Sequence, residues 1–290
     1  MLSPVFLDNL PEIDPGADRS SELYRLQRSR ELIDLLTDDG VSWTRRDCPV
    51  CGNAGRPQHF TLSPLAFHRC LSCQSVYAVQ VPSQDRLDRL RLAILADSRS
   101  DPSAHFAYRA AEFSSILNWV DISAGRYGRS LDRVLDYRFS SHAPGFKEAT
   151  ADAQTEAGRQ WTHQPLASPT ERQAPFADLG QAIAATDADA VLVQAELDRA
   201  ADPRALLTTI AGALPSGKLV FVSSSCADGL EYEILGPRSP SLIALDRLNL
   251  FSTPGFSQPA RETGVEFVAI STPGRPDPAP PNCASAYPSS

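Results

Sequence analysis

Four cysteines in two Cys-x-x-Cys pairs restrict this chain more than any other feature. Cys48-Pro49-Val50-Cys51 is answered, eighteen residues on, by Cys70-Leu71-Ser72-Cys73. Each pair offers two thiolates from one tight turn, and the segment between them is long enough for a hairpin that brings the turns together. A tetrahedral Zn–S₄ centre requires that arrangement and leaves no coordination position open. Gly52 follows the first pair, where a residue that tolerates positive φ helps the turn. The competing readings are unrelated reduced pairs, or a disulfide in a secreted chain. Cys48, Cys51, Cys70 and Cys73 are expected to hold a structural zinc. His59 and His68 are read as ordinary residues of the same ribbon, since four thiolates already complete the shell. A closed site of this kind orders a small domain and does not catalyse.

The rest of the chain must supply any further function. At 290 residues and 42% hydrophobic content it can bury a sizeable core. A net charge of −8 speaks against generic attraction to nucleic acid or anionic membrane. Residues 43–82 carry scattered arginines but no dense basic stripe. No run approaches the ~20 apolar residues of a membrane span. Met1–Asp8 has neither the basic nor the long apolar region of a secretory signal. Thiolate ligands agree with a reducing compartment, so a cytoplasmic location is expected.

Residues 1–42 read as an irregular arm followed by a helix over 20–36. Its apolar positions are Leu23, Leu26, Ile33 and Leu36, with Leu32 and Leu35 alongside. Residues 43–82 form the zinc ribbon, with Phe67, Val76 and Tyr77 as cover for the metal knuckles. Leucine spacing predicts a helix over 85–97, and Phe106 to Val120 predicts another over 104–120. Arg133–Asp136, Ala190–Val193 and Lys218–Val222 are short apolar strands. Between the last two, Asp202 is an N-cap, Pro203 stands at N1, and Leu206, Leu207, Ile210 and Leu214 form a buried stripe. Continuous apolar strands joined by a crossover helix predict parallel pairing. The fold class expected is α/β: a doubly wound, mainly parallel sheet over 83–272 with a small N-terminal zinc ribbon. Residues 265–270 are expected to add a late strand, and the Pro-rich tail 273–290 to be disordered. Cys226 is read as a small buried residue and Cys283 as a tail residue.

The order of these parts resembles bacterial class I S-adenosylmethionine-dependent methyltransferases with an N-terminal zinc ribbon. The matching pieces are Cys48–Gly52, Arg69–Cys73 with Val76-Tyr77, Asp202–Leu207, Leu214–Leu219 and Leu248–Ser252. The resemblance covers roughly 20–275. It implies a methyltransferase-like Rossmann fold and a cofactor crevice at the carboxyl ends of the strands. There S-adenosylmethionine would lie among Asp136, Tyr137, Gln164 and Ala195, and Glu196, Asp198, His142 or His163 would be candidates for removing a proton.

The chain departs from the family pattern at three places in that crevice. The glycine-rich turn after the first strand reads Tyr137-Arg138-Phe139-Ser140-Ser141-His142-Ala143-Pro144-Gly145, with its single glycine last. Gln164 stands where an acid would accept hydrogen bonds from the ribose hydroxyls, without that acid's charge or bidentate acceptor geometry. Asp198-Arg199 replaces a Glu-His pair. Two functions follow from the resemblance. One is S-adenosylmethionine-dependent methyl transfer to an unknown small-molecule or protein acceptor. The other is a catalytically inactive relative that binds or scaffolds a partner through its ribbon and α/β body.

Overall fold

The computed structural model describes Leu26 and residues 29–54, 58–62, 65–97, 119–137, 160–164, 176–239 and 242–266. The strands are β1 (Thr44–Arg45), β2 (Gln58–Leu62), β3 (Leu65–Arg69), β4 (Val76–Ala78), β5 (Gln80–Val81), β6 (Arg133–Tyr137), β7 (Gln160–Gln164), β8 (Ala190–Gln194), β9 (Leu219–Ser223) and β10 (Asn249–Leu250). The helices are α1 (29–37), α2 (Gln84–Asp97), α3 (119–126), α4 (Ala177–Ala185), α5 (Glu196–Arg199), α6 (Pro203–Ala213), α7 (Leu230–Leu235) and α8 (Thr253–Glu262).

The three apolar runs expected to pair do so. β6, β8 and β9 are parallel neighbours, with Leu135 opposite Val191 and Val191 opposite Val220; β7 adds a fourth parallel strand outside β6. Alternation along the strands then divides the core in two. Leu135, Tyr137, Val191 and Val193 pack with Leu179 and Ile183 of α4 and Leu206, Leu207 and Ile210 of α6. Val134, Ala190, Leu192 and Phe221 face Val120 and Ala124 of α3. Helix α6 forms as its sequence dictates: Asp202 accepts the Ala205 N–H at 3.0 Å, and Pro203 opens the first turn. The helix ends at Ala213, before Gly217 adopts φ +82°.

A single doubly wound, mainly parallel sheet of the methyltransferase-like Rossmann kind is not what the chain builds. Among the described residues there are three open sheets, ordered β7-β6-β8-β9, β10-β4-β3-β2 and β1-β5, and the last two are antiparallel throughout. The decisive element is β10, which pairs with β4 at Leu250↔Val76 and Asn249↔Tyr77. Leu248 and Leu250 are fully buried there with Leu65, Phe67, Val76 and Ala78. The Asn249 amide donates to the carbonyls of Leu197 and Ala200, both at 2.9 Å, which completes the choice of partner.

Other expectations change in detail. Helix α1 turns Leu32 and Leu35 to the core, while Leu26, Ile33 and Leu36 are exposed. The helix carries apolar residues on more than one face, and its fit against β3 and β4 selects between them. Tyr77 covers the knuckles as expected, but Phe67 and Val76 belong to the core on the far side of the ribbon. The helix expected over 104–120 is described only from 119 and runs to 126. Residues 265 and 266 are not strand, and 267–270, like the tail, lie outside the described residues.

At the amino ends of the parallel strands Asp189 joins three of them. Its carboxylate accepts the backbone N–H groups of Asp132 and Arg133 at 3.1 and 3.0 Å and pairs with Lys218 Nζ at 2.9 Å. The Lys218 contact is the chief reason its pKa falls to about 2. A carboxylate held below its unfolded value stabilises the fold above about pH 4, and that contribution fades as pH falls towards 2. With both side chains partly in water, Asp189→Asn is expected to cost about 1 kcal/mol at pH 7. The difference from the parent should vanish near pH 2 in pH-dependent urea unfolding; a pH-independent difference would contradict this account.

Candidate metal centre and strand-end crevice

The four cysteines converge. Their Sγ atoms all lie within 4.8 Å of one another, with Cys48–Cys73 at 3.6 Å and Cys51–Cys70 at 3.5 Å. Around a zinc with Zn–S bonds of ~2.3 Å, tetrahedral sulfurs stand about 3.8 Å apart, so the cluster fits a structural zinc. Three of the four are buried and Cys51 is half-buried, as a closed site requires.

The local chain explains this geometry. In the first knuckle Gly52 N donates to Cys48 O at 2.8 Å and Cys48 N to Asn53 O at 3.2 Å. The second repeats the pattern at the same offsets: Gln74 N to Cys70 O at 2.8 Å, Cys70 N to Ser75 O at 2.9 Å. Gly52 (φ +72°) and Gln74 (φ +63°) occupy the same left-handed position. Glycine signals that position in one knuckle, and nothing in the sequence signals it in the other. The hydrogen bond with Cys48, and then that with Ser75, holds Cys73 below the ordinary thiol range. The same shared hydrogen bond pushes Cys48 up.

Arg46, two residues before the first knuckle, was given no role by sequence reasoning. Its guanidinium donates to three backbone carbonyls: Ala78 at 2.8 Å, Ala201 at 2.7 Å and Leu248 at 3.0 Å. These belong to the ribbon, the approach to α6 and the approach to β10. An arginine beside a cysteine knuckle has no sequence signature of such a role, because its partners are remote.

The crevice expected at the carboxyl ends of the parallel strands is lined as follows. Asp136 is fully buried, and its Oδ1 accepts from Gln194 Nε2 at 3.3 Å. Tyr137 is 1% exposed and packs into the core shared with the cysteines. Gln164 ends β7 opposite Tyr137, and His163 stands opposite Asp136. Ala195 takes a left-handed conformation (φ 53°) at the start of α5, where its N–H donates to Ser223 O at 2.8 Å. Asp136, Tyr137, Gln164 and Ala195 thus stand at the same end of the sheet. His142 lies outside the described residues.

Glu196 and Asp198 sit in a buried ionic network that periodicity could not reveal. Arg91 of α2 contacts Asp88 at 3.2 Å and Glu196 at 3.5 Å, with all three side chains under 5% exposed. Burial pushes the Arg91 guanidinium down, and Glu196 and Asp88 pull it back up. Arg199 joins Glu196 to Asp246, which it meets at 2.9 Å. Asp198 is fully buried and accepts from Arg247, the Ser224 hydroxyl and Ser225 N–H. Cys226 is half-buried and donates to Asp228 at 2.7 Å; burial raises its thiol to about 11.

Among the described residues no helix is long and apolar enough to cross a membrane. No family model matches the chain, and no curated protein matches it significantly.

Proposed function

We propose that this chain is catalytically silent and works as a binding or scaffolding partner, with zinc ordering its ribbon. The observation that carries the reading is the state of the strand ends. The Asp136 carboxylate is buried and engaged by Gln194, and the Tyr137 ring lies inside the core. A ligand could reach these groups only by displacing the protein's own contacts. The carboxylates that follow β8, Glu196 and Asp198, are paired with the buried Arg91 and the partly buried Arg247, which suits a fixed support and not a group that must accept a proton. Gln164, at the end of β7, supplies no charge.

An exposed apolar surface agrees with a contact role. Leu230, Ile234 and Leu235 of α7 are 59%, 69% and 42% exposed, beside the Arg69–Glu233 ion pair that ties this helix to the ribbon. Large apolar side chains left clustered in water are a common mark of a binding surface.

Calorimetry of the zinc-loaded chain with S-adenosylmethionine tests the reading. Losing one charge-assisted hydrogen bond costs about 1.5–3 kcal/mol, and large side chains such as Arg138 and Phe139 in place of the family's glycines are expected to add a comparable amount. Together, roughly 3–5 kcal/mol moves a micromolar site to about the millimolar range, so no saturable heat is expected at micromolar ligand. Micromolar binding that is abolished by Ala195→Trp would overturn the proposal and restore the methyl-transfer reading.

A further inference from the structure

The zinc knuckles carry a second set of contacts that the metal itself does not require. Ser252, the N-cap of α8, donates from its hydroxyl to the Cys73 carbonyl and accepts the Gly255 N–H at 2.9 Å. Its own N–H donates to Ser75 Oγ at 3.1 Å, and the two hydroxyls stand 3.3 Å apart. Both serines are essentially fully buried. A Cβ on Gly255 would lie 2.3 Å from Ser75 Oγ, 2.7 Å from Ser252 Oγ and 3.1 Å from Val50 Cγ1, so no side chain fits there. The first turn of α8 therefore rests on both knuckles at once, on Val50 of the first and on Cys73 and Ser75 of the second.

Two further contacts hold the same element. Arg204 of α6 donates from Nε to the Val50 carbonyl at 3.2 Å, and its Nη2 pairs with Glu262 at the far end of α8. β10, just ahead of α8, pairs with β4, the strand that leaves the second knuckle. Phe251 and Phe256, with ring centroids 5.1 Å apart, pack in the cluster that contains the cysteines.

We propose that the two knuckles form a zinc-dependent latch for the segment 249–262. Bound zinc fixes the turns that aim the Cys73 and Val50 carbonyls and the Ser75 hydroxyl at α8. Without the metal, thiols replace the bridging centre, the turns lose their common anchor, and the seat for Ser252 and Gly255 is lost. The segment then leaves, baring Phe251, Phe256 and Val50. The parallel sheet loses the knuckles and Phe251 from the cluster they share with it, but its remaining packing against α4 and α6 and its separate core against α3 keep it folded. Because the coupling is reciprocal, undocking α8 also loosens the zinc.

Hydrogen exchange on the full chain tests this, with zinc bound and after removal by a chelator under reducing conditions. Peptides over 249–262 are expected to exchange about 100-fold faster or more without zinc, while those over 133–137 and 190–194 keep their protection. Unchanged exchange at 249–262, or loss of protection everywhere together, would overturn the latch. In a second measurement with zinc present, Ser252→Ala and Gly255→Ala are expected to expose 249–262 and to speed zinc loss to a competing chelator by about 10-fold. If Gly255→Ala fails to fold, Ser252→Ala gives the same readout. Zinc loss at the parental rate in the folded variant would overturn the coupling.

Discussion

Cys73→Ser is expected to bring the zinc content from about one per chain to near zero and to unfold the ribbon hairpin β2–β3. Cys48→Ser should do the same. A serine hydroxyl at neutral pH is not a thiolate, and three remaining sulfurs leave a tetrahedral centre open to water. Structural zinc contributes folding free energy outright, on the order of 10 kcal/mol in small zinc modules. In this chain the cysteines pack in one cluster with Tyr77, Tyr137 and Phe251. The loss should reach beyond the ribbon, and at least about 4 kcal/mol is expected. At roughly 2–4 °C per kcal/mol that is a fall in Tm on the order of 10 °C. Metal analysis and a thermal melt of protein purified under reducing, chelator-free conditions check both parts. A zinc-free parent with the same melt as the variant would show that the four thiols need no metal.

The second large effect is expected at Arg46. Arg46→Met keeps most of the side chain's length and removes every donor, leaving the carbonyls of Ala78, Ala201 and Leu248 without their guanidinium partner. Hydrogen bonds to charged groups contribute about 1.5–3 kcal/mol each, and a buried acceptor left unsatisfied carries the full desolvation cost. Some of that is recovered by water entering the gap, so about 3–5 kcal/mol is expected in urea unfolding, with zinc still bound at one equivalent. Arg46→Lys should recover only part of it, since a single ammonium cannot span three carbonyls in the planar fork of arginine. A loss below about 1 kcal/mol in Arg46→Met would show that the three contacts do not hold the ribbon to the body.

Both effects meet at the seam where ribbon, parallel sheet and α8 touch, and the sequence discloses that seam unevenly. The ligand set was legible because thiolate pairs are local: a turn of four residues presents two sulfurs, and spacing alone brings the two turns within reach of one metal. Helix α6 was legible for the same reason, since its cap, its opening proline and its buried stripe lie within thirteen residues (202–214). The cap of α8 also had a local signal, Ser252-Thr253-Pro254, a capping residue followed by a proline in the first turn. What Ser252 holds was not legible, because Cys73 and Ser75 lie nearly 180 residues earlier.

The sequence by itself determined the metal centre and the parallel neighbours β6, β8 and β9, because thiolate spacing and unbroken apolar runs each admit few arrangements. Tertiary structure alone decided that Asn249–Leu250 joins the ribbon sheet, a choice made by buried leucines and by an asparagine amide that finds its carbonyls in the chain around α5. It also decided that Leu32 and Leu35, not Ile33 and Leu36, face the core. At the strand ends it paired Asp136 with Gln194 and set Glu196 against an arginine 105 residues away. A charge in sequence shows only that it must be solvated or paired. Which of the two occurs depends on what the fold carries to it, and here the fold carries Arg91 to Glu196 and Arg247 to Asp198.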